Sequence, residues 1–62
     1  MSIYDLVLLW WHPKDKKVHE KRWNRDDQYK ANVFKEKIID SKSHVVGQFA
    51  VANETGEYAG AW

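Results

Sequence analysis

The chain reads as an α+β domain, a small antiparallel β-sheet of three to four strands in the order ββαββ with one α-helix packed on one face. Three observations predict it. Leu6-Val7-Leu8-Leu9-Trp10-Trp11 is an apolar run that stops at Pro13. Residues 24–40 contain neither Gly nor Pro and repeat their apolar side chains at helical spacing. His44 to Ala52 alternates with a period of two. At 62 residues the chain has room for one domain, 1–62. A chain this short buries only about 60% of the surface its unfolded form exposes, so a deep, enclosed active site is not expected. With no cysteine there is neither a disulfide nor the commonest structural zinc ligand. Four Trp, three Tyr and two Phe are left to make a dense aromatic core or a contact with a partner.

The first strand runs from Ile3 to His12. Neighbouring side chains on a strand point to opposite faces, so Trp10 and Trp11 cannot both enter a one-sided core, and at least one indole is expected away from the helix. Pro13-Lys14-Asp15-Lys16-Lys17 has the composition of a turn, and Val18 to Trp23 returns as the second strand of a hairpin. The hairpin register is open by one residue, which leaves either Val18 or His19 opposite Trp11. A helix follows over residues 24–40. Asn24 or Asp26 serves as N-cap, and acids sit near the positive end of the helix dipole. Ala31, Phe34 and Ile38 form its core stripe, with Ile39 at the edge. Tyr29 and Val33 lie on the opposite side as an exposed pair. In the third strand Val45, Phe49 and Val51 are expected on one face. Asn53-Glu54-Thr55-Gly56 is a turn, and residues 57–62 return as a short fourth strand.

One helix covers one face of such a sheet. The first strand carries apolar residues at both parities, so its second face is expected to meet another chain, as a homodimer or a complex with a different protein.

The net charge is +1, but the basic residues cluster. Lys14 to Arg25 holds six Lys or Arg against Asp15 and Glu20, whereas the remainder holds four Lys against seven acids. This asymmetry favours an acidic or phosphate-bearing partner near the hairpin, or a lysine-rich tip that keeps the molecule soluble. No catalytic pattern is present. His12, His19 and His44 lack metal-ligand spacing, Asp26-Asp27 is better placed for capping than for acid–base work, and no serine sits in a nucleophile elbow. The three glycines are too scattered to cradle a phosphate. The expectation is a non-enzyme without cofactor or metal.

Protein binding is the favoured function class, because Trp, Tyr and Arg dominate interface energetics. The candidate partner-binding residues are Trp10, Trp11, Trp23, Arg22, Arg25, Tyr29, Val33, Tyr58 and Trp62. The alternative is nucleic-acid binding through the tryptophan-containing hairpin 10–25, with Lys14, Lys16, Lys17, Lys21 and Arg22 on phosphates. In size, lack of cysteine and aromatic density the chain is similar in type, though not in motif, to host-modulating proteins of phages and mobile elements. That likeness implies an inhibitor that occludes a surface on a larger host protein. Met1-Ser2-Ile3-Tyr4-Asp5 lacks the basic start of a signal peptide, and the apolar run is far shorter than a membrane span. A cytoplasmic protein with no membrane contact is therefore expected.

Overall fold

The computed structural model describes residues 3–62; Met1 and Ser2, part of the expected non-signal start, lie outside them. Strands β1 (Tyr4–Trp11) and β2 (Val18–Asn24) form the hairpin. A 3-10 turn (Arg25–Asp27) leads into helix α1 (Gln28–Asp40), and β3 (His44–Ala52) and β4 (Tyr58–Ala61) complete the sheet. The strand order is β2-β1-β3-β4 with every neighbouring pair antiparallel, so the molecule is the expected α+β fold. The most apolar strand, β1, is flanked on both sides, whereas the charged β2 and the four-residue β4 form the edges. Charge on an edge strand restricts which chains can add to it, and brevity leaves little edge to add to.

Register assigns the faces. Trp11 pairs with Val18 and Trp10 with His19, which resolves the ambiguity of the hairpin. Trp10 packs edge-on against Phe34 of α1, with ring centroids 5.2 Å apart. Alternation therefore puts Leu6, Leu8 and Trp10 under the helix, and Asp5, Val7, Leu9 and Trp11 on the opposite, open face. Leu6 and Leu8 are fully buried, and from the helix Ala31 and Ile38 close over them. Phe34 is half-buried and Ile39, at the edge of the stripe, is exposed.

Local structure departs from the sequence reading in two places. The helical stretch begins as a 3-10 turn, with the Asn24 side chain accepting from the Asp26 amide at 3.0 Å, and the α-helix proper starts only at Gln28. In β3 the pairing with β1 shifts between Leu9 and Trp10. Leu9 stands opposite Gly47 and Trp10 opposite Val45, which leaves Val46 as the extra residue. This bulge turns Val45 toward the helix side while Phe49 and Val51 stay on the open face, so the three do not share a face. Gly47 suits the position beside the bulge: a Cβ there would stand 3.1 Å from Leu9 Cδ1.

The end of α1 is a Schellman turn. The Ser43 amide donates to Ile38 O at 3.1 Å and the Lys42 amide to Ile39 O at 3.0 Å. Lys42 takes the left-handed conformation, φ 68°, where glycine is the usual residue. His12 ties the hairpin turn to this end. Its Nδ1 accepts from the Lys14 amide at 3.0 Å, so Nε2 carries the proton and donates to Ser41 O at 3.0 Å. At the other end of the molecule the chain finishes with Trp62 docked, its Nε1 donating to Val7 O at 3.0 Å.

Candidate functional site

The nine candidate contact residues fall on different surfaces. Trp10, Trp23 and Trp62 belong to the helix side. Trp23 lies 5.4 Å from Phe34 and 6.3 Å from Trp62, ring centre to ring centre, and all three tryptophans are half-buried. They build the core around Phe34. Arg25 is held at the start of α1, where Nη1 donates to Gln28 Oε1 at 2.7 Å. Trp11, Arg22 and Tyr58 lie on the open face, and Tyr29 and Val33 lie on the flank of the helix.

The open face follows from the cross-strand rows. Tyr58 and Val51 stand beside Asp5, Phe49 beside Val7, Gly47 beside Leu9, and His44 beside Trp11. Phe49 and Tyr58 are in ring contact at 6.2 Å, and Trp11 meets His44 edge-on at 5.0 Å. Apolar side chains thus cover β1, β3 and β4 on this side. Charge is confined to the β1–β2 margin, where Arg22 Nη2 donates to Asp5 Oδ2 at 3.2 Å and Glu20 stands opposite Leu9. Val7 is only 3% exposed although the helix lies on the other side; its neighbours Arg22, Phe49 and Leu9 enclose it. Tyr58 is 70% exposed and Val18, at the far corner, 63%. Leu9, Phe49 and Val51 were missed by composition, because only pairing shows that they join Trp11 on one surface.

A second feature lies along the opposite flank, between the edge strand β2 and α1. Trp23, Tyr29, Lys30, Val33, Phe34 and Lys37 line a groove of about 280 Å³. Lys21 stands at its side, Nζ 5.3 Å from the Phe34 ring centre and 5.8 Å from that of Trp23, in cation–π range. The exposed pair Tyr29–Val33 forms part of the wall. Lys30 and Lys37 were not singled out from sequence, although residues 30, 33, 34 and 37 share one helical flank. Lysine 21 arrives from another element, so only the topology unites the three.

The basic hairpin divides on folding. Lys14, Lys16 and Lys17 lie in or beside the turn, Lys21 faces the helix side, and Arg22 is on the open face with Asp5. The five lysine and arginine residues of the nucleic-acid alternative therefore do not share a surface. Within the turn, Asp15 accepts from the Lys17 amide at 3.0 Å and from His19 Nε2 at 2.7 Å. The backbone bond first, and the His19 bond second, hold its carboxyl below the ordinary aspartate value. His19 also stacks on Trp10 at 5.5 Å.

Among the described residues no group of three or more His, Asp or Glu side chains could hold a metal ion, and no helix is long and apolar enough to cross a membrane. The chain matches none of the family models, curated proteins or solved structures with which it was compared.

Proposed function

We propose that the chain is a small, non-catalytic protein-interaction module whose open sheet face is closed by a second copy of itself. The observation that carries this reading is the apolar surface made by Leu9, Trp11, Phe49, Val51 and Tyr58, on the side of the sheet that α1 does not cover. Among the described residues only Leu6, Val7, Leu8, Ala31 and Ile38 are buried hydrophobics. A core that small favours a cover that is always present, and a second copy is made whenever the chain is made.

Size and charge agree with this occupant. Strands of eight, seven, nine and four residues, about 4.8 Å apart with about 3.3 Å per residue, give a face of about 440 Å². Two such faces together bury about 900 Å², close to the lower bound of about 1,000 Å² for a specific interface. On the charged margin Asp5 and Arg22 neutralise each other, and Glu20, opposite Leu9, sits on the edge strand, at the rim of the face and outside its apolar part. The nucleic-acid alternative has less support, since its residues are spread over three surfaces.

Truncation of the tryptophan on this face tests the proposal. Trp11→Ala is expected to weaken self-association by about 2 kcal/mol, roughly thirtyfold in the dissociation constant. Tyr29→Ala, on the helix flank, leaves it unchanged. Equal effects of the two substitutions, or a Trp11→Ala variant that associates normally, contradict the proposal. A heterologous surface on this face, as a host-modulating inhibitor would need, shows itself as a monomer that captures a different protein in the presence of nuclease. That outcome too removes the second copy as the occupant.

A further inference from the structure

The groove between β2 and α1 lies on the other side of the sheet from the proposed self-association face, and we infer that it is a docking site for an extended acidic peptide. Three observations lead to this occupant. First, β2 is an edge strand, paired with β1 alone, so alternate backbone N–H and C=O groups along Val18–Asn24 point outward and can take another strand. Second, of the β2 side chains that face the helix, Trp23 lines the groove of about 280 Å³ together with Val33 and Phe34, and Lys21 stands beside it. A strand added to β2 would place every second side chain toward that groove.

Third, the charge beside the apolar floor is of one sign. Lys21, Lys30 and Lys37 surround it, and among the described residues the one ion pair to any of them is the loose contact of Lys30 with Asp27 at 3.9 Å. Lys30 and Lys37 are two helical turns apart, about 10 Å at 1.5 Å per residue. Carboxylates at positions i and i+4 of a strand are about 13 Å apart. Lysine side chains are long enough to close that difference. The recognised pattern is therefore acid–x–apolar–x–acid, with the apolar residue on Val33 and Phe34 and the acids on the lysines.

A single-stranded nucleic acid would also meet lysines and rings here, but the geometry favours the peptide. Trp23 is half-buried, with the Phe34 and Trp62 rings against it and Lys21 Nζ 5.8 Å from its ring centre, so it is a poor platform for a base. Tyr29, 79% exposed, is the one open ring on the groove wall. The free strand edge has no use in base stacking and an evident one in pairing with a peptide backbone.

The test uses the full chain and a fluorescein-labelled, end-capped heptapeptide with the sequence Thr-Glu-Thr-Leu-Thr-Glu-Thr. Three comparison probes accompany it: lysine in place of glutamate, N-methylation of alternate amides, and a ten-residue thymidylate strand. The glutamate peptide is expected to bind, and to shift the amide resonances of residues 18–24 more than those of residues 58–61. Lys30→Glu with Lys37→Glu, both exposed positions, is expected to weaken it at least about tenfold, as is N-methylation. The Trp11→Ala variant keeps the site whether or not it dimerises, so failure here and failure of the self-association reading are separable. The inference is overturned if the lysine peptide binds as well as the glutamate peptide. It is equally overturned if binding survives N-methylation or the double charge reversal, if no peptide binds, or if only thymidylate does.

Discussion

At Asp15 two donors converge on one carboxylate, and the consequence is a local dependence on pH. The Lys17 amide and His19 Nε2 both favour the charged form, so the folded pKa lies below the unfolded one. A group depressed in this way contributes its stabilisation above the unfolded pKa and loses it as pH falls through the folded one. The carboxyl of Asp15 is expected to titrate, by carbon-detected NMR, below an aspartate in an unstructured peptide. Asp15→Asn, which keeps an acceptor for the Lys17 amide but removes the carboxylate, should abolish the acid-side loss of stability that Asp15 contributes. A midpoint at the ordinary aspartate value contradicts this account of the turn. Trp62 makes a second residue-scale case. Its Nε1–H bond to Val7 O joins the end of the chain to the central strand, and Trp62→Phe keeps a ring while deleting that donor. A loss of about 1 kcal/mol in chemical denaturation is expected. A variant as stable as the parent would mean that the bond is not maintained in solution.

The elements differ in how plainly the sequence announced them. Strand β1 and helix α1 were legible because their apolar patterns persist for two turns or more and end at Pro13 and at Ser41-Lys42-Ser43. The bulge at Val46 was not, since Val45-Val46-Gly47 is apolar or small at either parity and no local signal shows which residue is extra. That one residue decides that Phe49 joins Trp11 while Val45 joins Trp10. The groove was equally hidden, because Lys21 and Lys37 come to one groove only through the packing of β2 beside α1. The end of α1 shows a similar override of local preference. The Schellman turn places Lys42 at φ 68°, where an L side chain is crowded and glycine is not. Lys42→Gly is expected to raise stability by about 0.5 kcal/mol, the relief of crowding outweighing the added freedom of the unfolded chain. A fall in the thermal midpoint would show that the lysine contributes something at the helix end beyond its backbone.

For the whole molecule the decisive fact is the asymmetry of its two faces. The described chain measures 36 × 20 × 14 Å, a thin slab with its helix and three of its four tryptophans on one side. The other side presents Trp11 with Leu9, Phe49, Val51 and Tyr58. Pairing two slabs by these faces would turn a one-sided core into a two-sided one, and would leave both β2–α1 grooves outward. A dimer of that form could engage two acidic segments at once. Two linked sites raise overall avidity without any new contact, provided that the partner can span them. Sedimentation equilibrium of the unaltered chain across micromolar concentrations tests the central claim most directly. The account predicts a mass approaching twice 7.4 kDa; a mass of 7.4 kDa at every concentration contradicts it.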